Sequence, residues 1–133
     1  MGDAESTSVP ETVRRRMARA RALGFGYSCK PPVGQLLATL AAAVPTGGRV
    51  LELGTGAGVG TAWIASGVGA RTDVTVQTVE SDGDLAAEVA GGGLPAWIEV
   101  ITGDAETLLP RLGQFDLVFA DAVGDKWTGL HHT

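Results

Sequence analysis

The sequence predicts an α/β protein built on an open, doubly wound sheet of about four parallel strands. Apolar and β-branched runs that are typical of strands alternate with segments whose apolar residues recur at helical spacing. One of these strands leads directly into the glycine-rich segment 54–58, and another helical segment follows it. Such alternation favours parallel strands joined by crossover helices, which cover both faces of the sheet.

The first third of the chain is predicted to be helical. Pro10 opens a helix over 10–23, because a proline near the first turn lacks only a donor that would be unpaired there. Gly24 is typical of a helix end. Two prolines then start a second helix over 33–44, whose apolar residues recur every three or four positions.

After a turn at 45–48, strands and short helices alternate as far as residue 120. The predicted strands are 49–53, 73–79, 97–101 and 115–120. The predicted helices are 59–67, a short helix capped by Ser81 or Asp82, and one that follows Asp104 and ends at Pro110. The fourth strand is apolar apart from Asp116, so we expect it to be buried on both faces. We also expect Trp63 and Trp97 to lie in the core.

Length and composition predict one globular domain, 10–133, behind a disordered tail at 1–9. The chain has 133 residues, of which 44% are hydrophobic and 19% charged. The net charge of −5 argues against nucleic acid as the main partner. The single cysteine, Cys29, excludes an internal disulfide framework. With no signal pattern and no apolar stretch that could span a bilayer, the sequence predicts a cytoplasmic protein without a membrane partner.

Half of the basic side chains lie in the first predicted helix. They are Arg14, Arg15, Arg16, Arg19 and Arg21. We interpret them as a solvated helix face, because surface charge is ordinary and the apolar face beside it is weak. The alternative is a basic helix that contacts a membrane or an anionic ligand.

Three features with binding chemistry follow predicted strands, and open α/β sheets bind ligands beyond the carboxyl ends of their strands. The first is Glu52 with the loop 54–58, where glycines allow a close approach and the next helix start favours an anion. The second is Glu80, an acid placed to accept hydrogen bonds from ribose hydroxyls. The third is the pair Asp104 and Ala105, beside the expected place of an adenine ring.

The glycine spacing disfavours a dinucleotide site. The fingerprint G-x-G-x-x-G/A needs a small residue where Val59 or Thr61 stands, depending on the starting glycine. The acid Glu52 precedes the first glycine by two positions, which suits a cation. A sulfonium ligand with an α-amino group therefore fits better than a diphosphate, and a nucleotide-dependent oxidoreductase is the weakest of the hypotheses.

These motifs resemble class I S-adenosylmethionine (SAM)-dependent methyltransferases, and within them the bacterial O-methyltransferases related to the catechol and caffeoyl-coenzyme A enzymes. The resemblance extends from about Ala22 to Leu130. The segments that carry it are VGQLL at 33–37, VLELGTGAG at 50–58, VE at 79–80, TGDAE at 102–106 and FDLVFADA at 115–122. It implies the N-terminal half of a Rossmann-like methyltransferase domain.

The resemblance also implies how SAM would be held. Glu52 and the glycine loop would surround its methionine part, through Gly54, Thr55, Gly56 and Gly58. Glu80 would hold the ribose, and Asp104 and Ala105 would flank the adenine.

For the chemistry, the resemblance implies in-line methyl transfer to an oxygen of a small, catechol-like acceptor, which requires donor and acceptor to be held collinear. Asp121 would face the methyl group and be the first ligand of a divalent cation such as Mg²⁺. That metal site is incomplete in this sequence, because such cations take about six oxygen ligands. Lys126 would act as base or charge partner.

The chain extends thirteen residues past position 120, so we expect a shortened domain in which the acceptor and metal half is mostly missing. The leading hypothesis is a SAM-dependent O-methyltransferase, either as a fragment or as a homo-oligomer that completes its sheet with a second copy. The alternative is a non-catalytic SAM-binding or interaction module that presents an open sheet edge to a partner.

Overall fold

The computed structural model describes residues 9–24 and 29–120, and within these ranges the chain forms five helices and four strands. The helices are α1 (Glu11–Ala22), α2 (Pro31–Ala42), α3 (Val59–Val68), α4 (Gly83–Ala90) and α5 (Ala105–Leu112). The strands are β1 (Arg49–Leu53), β2 (Thr75–Glu80), β3 (Ile98–Thr102) and β4 (Leu117–Ala120). None of the helices in these ranges is long and apolar enough to cross a membrane.

The four described strands form one parallel sheet in the order β3-β2-β1-β4, which confirms the predicted α/β architecture. Leu53 at the end of β1 pairs with Val79 on β2, and Glu80 pairs with Thr102 on β3. The carboxyl ends of these strands therefore lie along one edge of the sheet. We call this edge the carboxyl rim and define it as the loop 54–58, Glu80 and residues 102–104.

Each face of the sheet has its own apolar core, because side chains alternate along every strand. Val50, Val76 and Ile98 belong to the larger core, which they form with residues of α1, α2 and α3. Leu51 and its neighbours on the opposite face pack against apolar side chains of α5. Helices thus pack against both faces of the sheet, as in a doubly wound fold.

Two details of the predicted elements were wrong. α5 continues through Pro110 to Leu112, because a proline in the last turn removes only one backbone donor and few residues follow it. Trp97 precedes β3 and is 43% exposed, so it is not part of the core. Trp63, by contrast, is 2% exposed, as predicted.

Val9 is buried in the larger core, and the rest of the expected tail, 1–8, lies outside the described residues.

The prediction that the fourth strand is buried on both faces was also wrong. β4 pairs with β1 and lies at one end of the described strand order. Leu117 and Phe119 pack against the larger core, whereas Val118 is 53% exposed. An apolar run has the same appearance in a central strand and at an edge, so composition alone did not distinguish the two.

Candidate functional site

The loop after β1 depends on its glycines. Gly54, Gly56 and Gly58 have φ angles of +87°, +56° and +87°, in the left-handed region that glycine adopts without a steric penalty. The Gly58 amide donates to the Thr55 carbonyl at 3.0 Å, which folds the loop back on itself. α3 begins at the next residue, so the positive end of its dipole lies at this loop.

Backbone hydrogen bonds join the ends of three adjacent strands into one rim. The amides of Gly54 and Thr55 donate to the Val79 carbonyl at 2.9 and 3.2 Å. The Gly103 amide in turn donates to the Glu80 carbonyl at 2.9 Å. The glycine loop, Glu80 and the turn before α5 therefore occupy neighbouring positions on the carboxyl rim.

Glu52 lies beneath the glycine loop and is 1% exposed. Its Oε1 accepts hydrogen bonds from the hydroxyls of Thr61, at 2.5 Å, and Thr78, at 2.8 Å. Gly60 leaves room for this carboxylate, since a Cβ there would collide with Glu52 Oε2. A buried carboxylate needs such donors, because its desolvation is otherwise too costly.

The hydroxyl network continues from Glu52 to the loop. Thr55 and Thr78 share a hydrogen bond of 2.5 Å between their hydroxyl oxygens. Because Thr78 has one hydroxyl proton and gives it to Glu52, Thr55 is the donor in the pair. Glu52 thus supports the loop from below through Thr78 and Thr55.

Glu80 connects the loop to the start of α4. It is 8% exposed, and its Oε1 accepts from the Gly56 amide at 2.8 Å. Its Oε2 accepts from the Asp82 amide at 3.0 Å. A carboxylate offers about four lone-pair positions, so two backbone donors leave capacity for further hydroxyl donors.

Asp104 and Ala105 begin α5 at the end of the rim. Asp104 is exposed and accepts from the Thr107 hydroxyl at 3.0 Å, while Ala105 is 4% exposed. Their backbone follows Gly103, which is bonded to Glu80. The structure therefore brings Glu80 and this pair to one edge of the sheet.

Asp121 and Lys126 lie outside the described residues, and with them the predicted catalytic and metal positions. Within residues 9–24 and 29–120, no group of three His, Cys, Asp or Glu side chains could hold a metal ion. The assignments of Asp121 and Lys126 to catalysis and of Asp121 to metal binding therefore stay predictions.

A family model described as a methyltransferase domain matches residues 51–131. The chain belongs to this methyltransferase domain family. The match covers the last three residues of β1, the glycine loop, β2 and β3. The carboxyl rim of this methyltransferase domain therefore lies within the matched part of the chain.

Relatives of this methyltransferase domain carry names of the same kind. A protein of Mycolicibacterium vanbaalenii named "Putative O-methyltransferase" is 38% identical over 122 residues, which are 86% of this chain and 53% of that protein. A Mycolicibacterium smegmatis protein of the same name is 40% identical over 86% of this chain and 57% of its own length. The chain spans about half the length of the curated relatives it matches.

Solved structures agree with the fold of this methyltransferase domain. The O-methyltransferase TomG from Streptomyces achromogenes, solved in complex with SAM, superposes with a TM-score of 0.72 at 28% identity over 85% of this chain and 54% of TomG. A Bacillus cereus O-methyltransferase in complex with S-adenosylhomocysteine (SAH) gives a TM-score of 0.71 at 26% identity over 85% of this chain and 55% of that one.

The residues that support the glycine loop from the side opposite the rim were not predicted from the sequence. Thr78 lies opposite Glu52 in the register of β1 and β2, a pairing that the predicted strand bounds did not specify. Arg16 was interpreted as solvated, but it is 4% exposed and contacts the loop. Its position between Val13 and Ala20, both buried on α1 at helical spacing, was the available signal.

Proposed function

We propose that this chain binds SAM along the carboxyl rim and takes part in transfer of its methyl group to an oxygen of a small hydroxylated acceptor. The observation that carries the proposal is the Glu80 carboxylate, which is bonded to the Gly56 amide of the glycine loop and keeps free acceptor capacity at the rim. The family match and the SAM- and SAH-bound neighbours support the choice of this ligand.

The residues of the rim fit the parts of SAM. Left-handed glycines let a ligand approach the loop backbone, and the start of α3 suits the carboxylate of the methionine part. Glu80 would accept hydrogen bonds from the ribose hydroxyls, and Asp104 and Ala105 would flank the adenine. Glu52 is buried, so its contribution would be to hold the loop through Thr78 and Thr55.

SAM supplies an electrophilic methyl group when it is bound. The protein's task is to hold the acceptor oxygen in line with that methyl group at near-contact distance, which lowers the entropic part of the barrier. In this proposal Asp121 faces the methyl group and Lys126 takes the acceptor proton or balances its charge. A divalent cation held in part by Asp121 would lower the pKa of the acceptor hydroxyl.

Calorimetric titration with SAH tests the cofactor site. We expect binding to the wild-type chain and binding at least about tenfold weaker for Glu80→Gln, since hydrogen bonds to a charged group are worth about 1.5–3 kcal/mol. Glu99→Gln is the matched control, because Glu99 is an exposed acid on β3 that pairs with Gln77. Absence of wild-type binding at millimolar SAH and SAM would overturn the proposal.

Transfer of a radiolabelled methyl group from SAM to a catechol tests the reaction, with Mg²⁺ and with EDTA in parallel. Product that depends on Mg²⁺ supports both the transfer and the cation. Product that is equal in EDTA supports the transfer and rejects the cation. SAH binding without product for any hydroxylated acceptor would favour the non-catalytic SAM-binding module. Self-association and a cytoplasmic location remain predictions from the sequence.

A further inference from the structure

Arg16 is a buried charge that the proposed methyl transfer does not use. It comes from the middle of α1 and is 4% exposed. Its Nε donates to the Ala57 carbonyl at 2.9 Å, and its Nη1 donates to the Gly92 carbonyl at 3.2 Å. The guanidinium therefore joins three parts of the chain: α1, the glycine loop and the segment after α4.

The peptide between Ala57 and Gly58 is held at both of its ends. Its carbonyl accepts from Arg16 Nε, and its amide donates to the Thr55 carbonyl at 3.0 Å. A Cβ built on Gly58 would lie 3.3 Å from Arg16 Nε, so the guanidinium lies directly behind the loop. Glu80 holds the peptide between Thr55 and Gly56 through the Gly56 amide. One cation, Arg16, and one carboxylate, Glu80, thus bond directly to the backbone of the loop.

Burial of the Arg16 guanidinium costs more free energy than a contact with only a structural role would justify. Burial lowers the pKa of the Arg16 guanidinium, Glu88 opposes that effect and Arg19 adds to it. Glu88 Oε1 lies 4.0 Å from Arg16 Nη2, and this nitrogen has no hydrogen-bond partner among the described residues. Glu88 instead pairs at 2.5 Å with Arg19. A buried charge of this kind adds little net stability compared with an apolar side chain, whereas its fork of donors fixes orientation.

We propose that Arg16 is a positioning residue for the cofactor loop: it fixes the peptide between Ala57 and Gly58 and thereby keeps the loop in the shape that receives SAM. The inference rests on the proposed function, since the loop has a ligand to receive only if that function is correct. α1 then takes part in cofactor binding although it lies behind the loop. Arg16 acts through the backbone of Ala57.

Two independent substitutions remove the contact. Arg16→Met deletes the guanidinium and keeps most of the apolar length. Gly92→Ala displaces the guanidinium, because a Cβ at Gly92 would collide with Arg16 Nη1. This substitution leaves the residue types of Arg16 and of the loop unchanged. Arg15→Met and Gly91→Ala are the matched controls. The Arg15 side chain is 74% exposed, and a Cβ on Gly91 meets only the Ala87 carbonyl at 3.5 Å.

The first measurement is amide hydrogen exchange of the loop in the chain without ligand. We expect the amides of 54–58 to exchange about tenfold faster or more in Arg16→Met and Gly92→Ala, because loss of a charged hydrogen bond has that magnitude. The amides of Val50 and Val76 in the sheet should be unchanged, and both controls should match wild type. Wild-type exchange of the loop in both test variants would overturn the inference.

The second measurement is SAH affinity, with Arg16→Lys as the conservative variant. We expect Arg16→Met and Gly92→Ala to bind about tenfold more weakly, and Arg16→Lys to recover part of the loss, since lysine keeps the charge and lacks the fork. If wild type does not bind SAH, the proposed function fails while the exchange experiment still decides the role of Arg16. If wild type and both test variants bind equally, the inference fails and the proposed function stands. If Arg16→Met does not fold, Gly92→Ala and Arg16→Lys decide.

Discussion

The indole of Trp63 in α3 lies directly against the backbone of Gly34 in α2, with no room for a side chain between them. Trp63 is 2% exposed, and its Nε1 has no hydrogen-bond partner among the described residues. The contact is therefore one of close packing, in which burial of the large ring outweighs the unpaired donor. Gly67 and Ala38 extend it, because a Cβ at Gly67 would collide with the Ala38 carbonyl.

Gly34→Ala should destabilise the chain by about 1–3 kcal/mol, because overpacking outweighs the gain in helix propensity of about 1 kcal/mol. Gly83→Ala is the control, since its Cβ would meet only Thr102 Cγ2 at 3.7 Å. Urea unfolding of the two variants measures the difference. A Gly34→Ala midpoint equal to or above that of wild type would contradict the packing account.

Thr78→Val should cost about 1–3 kcal/mol of stability, because it removes a donor from the buried Glu52 carboxylate and the acceptor of Thr55. Thr75→Val on the same strand is exposed and should change stability by less than about 0.5 kcal/mol. Denaturant titrations of both variants give the comparison. Equal effects at the two positions would show that the hydroxyl network does not stabilise Glu52.

Asp73 should contribute to the acid stability of the fold. Its pKa is lowered to about 2 from the ordinary 3.8, first because Arg71 donates to its carboxylate and also because the Gly47 amide does. The unfolded chain therefore takes up this proton at a higher pH than the folded chain, so the stabilisation is complete above about pH 4 and lost as the pH falls towards about 2. Asp73→Asn should be less stable than wild type at pH 7, and the difference in stability should shrink as the pH falls from about 4 to about 2. A stability difference that thermal melts show to be independent of pH would contradict this prediction.

Arg49→Met should loosen the connection between α5 and β4. Arg49 Nη1 and Nη2 donate to the carbonyls of Gln114 and Leu112 at 2.8 Å each, and the guanidinium lies 4.3 Å from the Phe115 ring centroid. We expect a loss of about 1–3 kcal/mol and faster amide exchange in β4. Arg111→Met, an exposed arginine on α5, should leave both quantities unchanged. If the β4 amides exchange as slowly in Arg49→Met as in wild type, the Arg49 contacts do not stabilise this connection.

The succession of strands and helices along the chain and the position of the carboxyl rim could be predicted from the sequence. Helical and strand periodicities differ clearly, and the glycine-rich segment has a conformation that few other residues adopt, so β1, the loop and α3 were predicted within a residue or two. Glu80 and Asp104 followed because parallel strands end at one edge.

Burial of single side chains was harder to predict, and Arg16 is the clearest example. Its long stem and charge are typical of a surface residue, and only the fold brings the Ala57 and Gly92 carbonyls to its guanidinium. The exposure of Val118 was not predicted for the opposite reason, since apolar character does not distinguish an edge strand from a central one. Both outcomes depend on tertiary neighbours distant in sequence.

The backbone bonds that join Gly54, Val79, Glu80 and Gly103 have a consequence for ligand affinity. Because three strand ends are already tied together, the rim is preorganised in the chain without a ligand. The loss of backbone entropy then occurs during folding and not when a ligand arrives, which leaves more of each new contact available as binding free energy. A substitution that breaks any one of these backbone hydrogen bonds should lower the affinity of every ligand that binds at the rim.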